Sequence, residues 1–372
     1  MKKIIILTFI LFSLTGCSYV ELNELAIASA VGIDYEDNNY TLTAQIMDMK
    51  NTGNGAQEAS ALIYEASGET ISTAIRNFAI RYPKTVYFGH LEIIVISDTA
   101  ANKKLDDIFD YFIRSTEVRT SGFVAITKDE KAKDILNPSN EKKGSFPTED
   151  IKSSLMGAAE RNGTVTEVTL EEFASDYLKK GKDPIVPLIK TTESDPTAAS
   201  KIIIENLIPV KSGKVFPTLD KTSSIAYNTI NNNFYDVTMN IKYNNELTGV
   251  VIYNPKSSMD VKLENNKLTV NINIKVESKL YEIDQKIDLA QGDSQDKIKN
   301  KVSNELKKYV QNLLDYCKNN NVDILGIGNL IYQDYYKEYD KYKNKNLYEK
   351  ANFNIKITNN MYRHGNIDKG VA

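Results

Sequence analysis

The first seventeen residues constrain the chain most, because they predict a signal segment that is cut off before Cys17 and is no part of the mature fold. Lys2 and Lys3 give a short positive start, and Ile4 to Leu14 form an uncharged run of eleven residues. A helix needs about 20 apolar residues to cross a bilayer, so this run is too short to span one. A charged start, a short apolar region and then small residues are typical of a secretory signal peptide.

The segment ends at a cysteine. Leu14-Thr15-Gly16-Cys17 resembles the bacterial lipoprotein box, in which the cysteine thiol receives a diacylglycerol and the chain is cut before it. Each buried methylene contributes ~0.8 kcal/mol, and two acyl chains hold a protein stably at a membrane. The alternative is an ordinary cleaved signal followed by a chance cysteine.

Cysteine use then decides how the mature chain is stabilised. With Cys17 lipidated only Cys317 remains, so no disulfide can form within the chain. An exported chain without disulfides depends on its hydrophobic core. Of the 372 residues, 41% are hydrophobic and 26% charged, which is ordinary for a folded protein. Cys317 lies among apolar helix positions, which predicts a buried structural thiol.

Charge and histidine content argue against two function classes. With 46 basic and 49 acidic side chains the formal charge is −3, so the chain lacks the basic excess of a general nucleic-acid binder. Its two histidines, His90 and His364, leave little material for a zinc site. His90 is interpreted as a structural histidine near a sheet, with a metal or general-base role as the alternative.

Hydrophobic periodicity in the first half alternates between strands and helices. The predicted strands are Ala26 to Asp34, Tyr40 to Met47, Ala61 to Ala66, Val86 to Ser97 and Gly122 to Thr127. The predicted helices are Glu69 to Arg81, a stripe from Leu105 to Ile113, Asp150 to Arg161 and Leu170 to Lys179. The first two strands flank a turn-prone segment and are expected to form a hairpin.

The second half is rich in strands up to about residue 284. The predicted strands are Lys201 to Val210, Phe234 to Tyr243, Gly249 to Tyr253, Met259 to Leu263, Leu268 to Leu280 and, last, Asn352 to Thr358. A long helix is predicted from Ser294 to Lys318, and tyrosines recur at helical spacing from Tyr332 to Tyr342. The fold class is therefore predicted to be α+β, a multi-domain body of mixed or antiparallel sheets flanked by helices.

Prolines and polar residues indicate where the two halves divide. Pro184, Pro187 and Pro196 bracket a polar stretch, which predicts a boundary near residue 200. We expect residues 1–16 to be the signal peptide, 17–199 an N-terminal α+β region with room for two modules, and 200–372 a C-terminal α+β domain.

Three blocks of sequence resemble one protein family. Gly16-Cys17 followed by Glu21 to Asp34 (ELNELAIASAVGID) is similar to the mature N-terminus of the Ger(x)C lipoproteins, the C subunits of nutrient germinant receptors in endospore-forming bacteria. Phe88 to Leu91 (FGHL), with the helix end from Arg114 to Arg119, forms the second block. Asp323 to Gly328 (DILGIG) forms the third. The blocks span nearly the whole mature chain, although Ser18-Tyr19 stands where the family commonly has Trp-Asp.

The resemblance implies a fold, a place and partners. It implies α+β modules in three domains, lipidated at Cys17 and held on the outer face of the spore's inner membrane beside the integral A and B subunits. No catalytic activity or cofactor is attributed to the family. The chain is accordingly identified as a non-catalytic, lipid-anchored receptor subunit needed for nutrient-triggered germination, without nucleic acid as a partner.

Two groups of side chains are candidates for a partner surface. Arg114, Glu117 and Arg119 follow a predicted helix, where an ion pair or a helix cap is the main interpretation and a subunit contact the alternative. Tyr335 and Tyr339 belong to the tyrosine stripe, which is predicted to pack on the last sheet, with an exposed aromatic binding strip as the alternative.

Other motifs do not predict a reactive site. Gly326-Ile327-Gly328 is interpreted as a turn that terminates a helix. The adjacent pairs Asp106-Asp107 and Glu171-Glu172 diverge by about 100° on a helix, so neither is a paired acid and base.

Two rival functions remain open. A solute-binding lipoprotein serving a membrane transporter predicts a two-lobed body with a hinge. A lipid-anchored hydrolase would need a nucleophile, a base or a metal cluster.

Overall fold

The structure is a computed structural model that describes residues 21–51, 57–136, 147–192, 202–244, 246–282 and 294–361. Within these ranges thirteen strands and ten α-helices follow one another along the chain. The strands are β1 (Leu25–Glu36), β2 (Asn39–Asn51), β3 (Gln57–Gly68), β4 (Thr85–Tyr87), β5 (Ile93–Ser97), β6 (Phe123–Thr127), β7 (Ile185–Thr191), β8 (Ile202–Lys211), β9 (Lys214–Val215), β10 (Asp236–Tyr243), β11 (Glu246–Glu264), β12 (Lys267–Leu280) and β13 (Ala351–Met361). The helices are α1 (Ile71–Arg81), α2 (Asp98–Arg114), α3 (Ala132–Leu136), α4 (Pro147–Asn162), α5 (Leu170–Leu178), α6 (Lys221–Asn231), α7 (Ser294–Asn320), α8 (Ile327–Asp334), α9 (Tyr336–Tyr339) and α10 (Leu347–Lys350).

Strand β1 lies inside a mixed sheet that has nine strands in the described part of the chain. Their order is β3-β2-β1-β5-β6-β7-β8-β9, and β4 pairs with the first residues of β1. β1 and β2 form the predicted hairpin, closed by Asp37 and Asn38 with φ of 48° and 59°, as a tight two-residue turn requires. β5, β6 and β7 run parallel to β1 and to one another, which is possible because helices return the chain between them.

Helices cover both faces of this sheet, because its central strands are apolar on both. On one face α1, α2 and α5 contribute to a cluster that includes Phe78 and Leu105. Within it the rings of Phe109 and Phe173 stack with their centroids 4.1 Å apart. On the other face α3 and α4 pack against the sheet through residues such as Ile135. This mixture of sheet and helix confirms the predicted α+β class.

The second sheet has four strands among the described residues, in the order β10-β11-β12-β13. Strand β12 buries the alternating side chains that the sequence predicted, from Leu268 to Val276. Helix α7 carries the chain from β12 back to the parallel strand β13 and buries its predicted apolar stripe from Ile298 to Cys317. The helix and the two strands around it are confirmed.

The predicted single strand from Val86 to Ser97 is wrong, because the chain turns at Gly89-His90 between β4 and β5. Both strands pair with β1, but at separate places, beside Leu25–Ile27 and beside Ala30–Ile33. The turn is closed by the Leu91 N–H, which donates to the Phe88 oxygen at 3.2 Å. The break between β4 and β5 is set by where each strand pairs with β1, so the continuous apolar run does not reveal it.

The second half differs from the prediction in two respects. The predicted strands Gly249 to Tyr253 and Met259 to Leu263 are both extended, but they belong to one long strand, β11, whose register shifts between Tyr253 and Lys256. The sequence pattern does not indicate helix α6, because its serine, threonine and asparagine residues have low helix propensity. Its first turn is held by Asp220, whose carboxylate accepts the Ser223 N–H at 2.7 Å.

Strands from both sides of residue 200 share the first sheet. β7, which precedes the predicted boundary, pairs antiparallel with β8, which follows it. The division at residues 199 and 200, and the three-domain arrangement implied by the resemblance, stay predictions.

Candidate functional site

The segment from Asp323 to Gly328 begins a helix rather than ending one. Gly326 adopts the left-handed region with φ of 74°, and α8 starts at the next residue. The Asp323 carboxylate accepts the N–H groups of Ile327 at 2.9 Å and Gly328 at 2.7 Å. A carboxylate in this position satisfies amides that have no partner inside the helix and lies at the positive end of its dipole. The predicted helix-terminating turn is thus wrong.

This segment docks on the loop that leads into β7. A Cβ atom on Gly181 (φ 76°) would lie against the Gly328 carbonyl carbon and 2.7 Å from the Asn329 nitrogen. The Asn329 N–H donates to the backbone carbonyl oxygen of Gly181 at 2.7 Å, and the Asp183 N–H donates to the backbone carbonyl oxygen of Asp323 at 2.9 Å. Backbone therefore packs directly on backbone where the first sheet meets the α8 segment; we call this contact the junction.

Polar side chains collect beneath the junction. The Tyr348 O–H donates to Asp323 Oδ1 at 2.8 Å, and the Asp323 N–H donates to Asp183 Oδ2 at 2.5 Å. Loss of water around the carboxylates raises the pKa of Asp183 and raises that of Asp323 to about 6. Cys317 is a free and fully buried thiol, as the sequence predicts, and this burial raises its pKa.

A cleft of about 360 Å³ lies at the junction. Five lysines line it: Lys179, Lys182, Lys211, Lys343 and Lys345. We call it the lysine cleft. Its basic side chains come from three segments that are distant in the sequence, and the fold brings them together.

The lysines of the cleft share a smaller set of carboxylates. Asp176 binds Lys179 and Lys182 at 2.8 and 2.7 Å, while Asp183 lies 3.5 Å from Lys211. Asp340 binds Lys343 at 2.8 Å, and this hydrogen bond lowers the pKa of Asp340. The Lys345 ammonium lies 5.5 Å from the centroid of the Tyr342 ring.

Arg114, Glu117 and Arg119 lie on the exposed end of α2 and the loop after it. Arg114 forms a two-pronged ion pair with Asp110, with N–O distances of 2.5 and 3.1 Å. Arg119 Nε donates to Ser121 Oγ at 2.6 Å. Arg114 and Glu117 also line a groove of about 930 Å³ beside α2. Arg114 thus forms an ion pair, one of the two local roles considered for these residues, with Asp110 as its partner. A contact with a partner protein stays a prediction.

The tyrosines from Tyr332 to Tyr342 do not lie on one helix. α8 ends at Asp334, and Tyr335 has φ of −135° before the short helix α9 begins. Tyr335 packs on the core of the second sheet, and its O–H donates to the Val261 oxygen at 3.5 Å. Tyr339 is also partly buried there and lines the lysine cleft, with its ring centroid 5.1 Å from that of Tyr332.

The remaining sequence candidates stay apart from this site. His90 is exposed, with its ring edge-on to Tyr87. Cys17 lies outside the described residues. No three metal-ligating side chains come together in the part of the chain that the structure describes. Across the same ranges, no helix is both long and apolar enough to cross a bilayer.

Comparison with known proteins gives matches along most of the chain. The family model "Spore germination protein N-terminal domain" matches residues 18–191, and "Spore germination B3/ GerAC like, C-terminal" matches residues 207–365. Spore germination protein KC of Bacillus subtilis is 24% identical over 359 residues, covering 89% of this chain and 86% of that protein. Spore germination protein B3 of the same organism is 24% identical over 193 residues, about half of each chain. The crystal structure of the GerBC protein has the same fold, with a TM-score of 0.59 at 16% identity, covering 90% of this chain and 97% of that one.

Proposed function

The chain belongs to the spore germination GerAC family, and from this premise we propose that it is the non-catalytic, lipid-anchored C subunit of a nutrient germinant receptor. In this proposal it is held at the outer face of the spore's inner membrane beside the integral A and B subunits. One observation carries the proposal. The family's N-terminal and C-terminal domains follow one another directly after the lipoprotein-box sequence that ends at Cys17.

Lipidation at Cys17 would act by confining the protein. A tethered chain meets its membrane partners at an effective concentration that reaches the millimolar range for short flexible links. Modest contacts then suffice for assembly. The exposed side chains of Arg114, Glu117 and Arg119, with the partly buried rings of Tyr335 and Tyr339, are proposed to supply them. The junction supports this role because it fixes the first sheet against the α8 segment, so the surfaces on both would be presented in one orientation.

The test is germination by spores that carry Cys17→Ala. We expect loss of the nutrient response together with release of the protein from the membrane fraction. Cys317→Ala is the matched control, because it removes the other cysteine from a buried position without touching the anchor. An unchanged nutrient response with the Cys17→Ala protein fully released would contradict the tethering mechanism, and a chain of unlipidated mass in wild-type spores would contradict the anchor itself.

The groove beside α2 favours the solute-binding rival in one respect, since about 930 Å³ lies within the range of small-molecule sites. Thermal unfolding of the full chain with a germinant separates the two functions. A ligand at a hundred times its Kd stabilises the folded state by about 2.7 kcal/mol. Saturable stabilisation of the isolated chain would favour the rival, whereas the receptor-subunit proposal expects none.

A further inference from the structure

The topology of the first sheet indicates which end of the molecule lies nearest the proposed anchor. β1 begins at Leu25, eight residues after Cys17, and residues Leu22–Glu24 form a 3₁₀ turn. An extended chain advances at most about 3.6 Å per residue and a 3₁₀ turn about 2 Å. Leu25 therefore lies within about 25 Å of residue 17. The strand ends on the side of the first sheet where β1 begins are called the anchored end.

The lysine cleft lies at the same end. β5, β6 and β7 run parallel to β1, with Ala30 beside Ile93 and Ile93 beside Phe123. The loop that enters β7, which carries Lys179 and Lys182, therefore reaches the sheet at the anchored end. β8 is antiparallel to β7, so it delivers Lys211 to that edge as well. β1 and β7 are three strands apart in the sheet order, or about 14 Å.

The cleft has more ammonium groups than carboxylates. Its five lysines are joined by Lys180, whose ammonium lies 5.0 Å from the Tyr332 ring centroid. Among the described residues of this region, five carboxylates stand against these six cations: Asp176, Asp183, Asp323, Asp340 and Asp106, which accepts the Tyr177 O–H. The Asp323 carboxylate is further engaged by the first amides of α8. Each ammonium has three N–H donors, so donors remain after the ion pairs are made.

We propose that the lysine cleft binds the phosphate of an anionic phospholipid headgroup, at the surface of the membrane to which Cys17 tethers the chain. The inference rests on the proposed function for the tether, while the cleft itself rests on the fold. Lysine binds phosphate as a point charge with a charge-assisted hydrogen bond. Two contacts of different kinds, an acyl anchor and a headgroup site, would fix the orientation of the protein on the bilayer, which a single point of attachment does not.

Labelling of lysine amines on the full, lipidated chain in nanodiscs tests the proposal. Discs of phosphatidylcholine alone are compared with discs made of phosphatidylcholine and phosphatidylglycerol in equal parts. The label at each lysine is quantified by mass spectrometry. We expect Lys182 and Lys343 to react about fivefold more slowly in the anionic discs, since a lysine at an anionic surface gains about that factor in binding. Lys341 is the internal control, because it pairs with Glu338 as Lys343 pairs with Asp340 but does not line the cleft.

A matched pair of variants isolates the site. Lys343→Ala combined with Lys345→Ala is expected to abolish the protection of Lys182 in anionic discs, whereas Lys341→Ala retains it. Equal protection of Lys341 and Lys343 would mean general attraction to a charged surface and would overturn the site. Equal protection by inorganic phosphate added to phosphatidylcholine discs would assign the cleft to free phosphate, and no protection in any condition would leave it without a phosphate ligand.

Failure of the anchor gives a different result. A chain without lipid would carry no added acyl mass and would not co-purify with phosphatidylcholine discs, which contradicts the proposed function. The same labelling on vesicles of phosphatidylglycerol still tests the cleft, and unchanged reactivity of Lys182 there would overturn this inference alone.

Discussion

Gly181→Ala is the sharpest test of the junction, because the structure gives this glycine two independent reasons to be a glycine. Its φ of 76° lies in the left-handed region, and a Cβ atom at this position would collide with the Gly328 and Asn329 backbone. A left-handed alanine costs about 1 kcal/mol. Overpacking against backbone adds about 2 kcal/mol. We therefore expect the free energy of unfolding to fall by about 3 kcal/mol.

Gly213→Ala is the matched control. Gly213 has a similar φ of 69°, but the nearest atom to its added Cβ would be 3.8 Å away, so only the backbone cost applies. With an unfolding entropy of about 2.1 cal/mol/K per residue, the two variants should lower Tm by about 4 °C and about 1 °C.

Circular dichroism of the full chain in detergent measures both transitions. If Gly181→Ala melts no lower than Gly213→Ala, the close backbone contact at the junction does not exist in solution.

Three further predictions concern charge, core and surface. Raising the pH from 4 to 7 is expected to lower the free energy of unfolding by at most about 3 kcal/mol through Asp323. Its pKa of about 6 lies above the unfolded value of 3.8, so its stabilising contribution is present at low pH and is lost as the pH rises through 6. In urea unfolding, Asp323→Asn should make stability depend less steeply on pH, and an unchanged dependence would contradict this account. Phe109→Ala should cost about 3–5 kcal/mol, and its double-mutant cycle with Phe173→Ala should give a coupling of about 0.5–1.5 kcal/mol from the ring stack; additive losses would refute the stacking. Arg114→Ala breaks an exposed ion pair with Asp110 and should change stability by less than about 1 kcal/mol, so a germination defect at unchanged Tm would support a partner contact, and normal germination would argue against one.

Elements with one buried face could be predicted from the sequence. The stripe of α7 and the alternation of β12 follow from burial of a single face, so periodicity alone locates them. Helix α6 could not be found in this way, because it buries serine, threonine and asparagine as well as apolar residues. The break between β4 and β5 depends on where each pairs with β1, which a pattern within one strand does not record.

The junction and the cleft could be predicted only in part. The block from Asp323 to Gly328 resembles the family, but the sequence predicts a helix end there, because a glycine in the left-handed region usually follows a helix. Here Gly326 precedes one, and Asp323 supplies the cap. No sequence pattern predicts the lysine cleft, because Lys182 and Lys343 come together only through tertiary contacts.

The third block of the resemblance therefore has a structural meaning that explains its composition. Asp323 caps α8, Gly326 makes the turn into it, and Gly328 lets its backbone meet Gly181. Each of these roles sets the position of one part of the fold relative to another, and none needs a reactive group. A sequence block of this kind suits a protein whose proposed task is to hold a fixed shape between a membrane and its partners. Gly181→Ala alters that shape and Cys17→Ala alters its place, so the two substitutions should impair germination separately, the first with the protein still in the membrane fraction and the second with the fold intact.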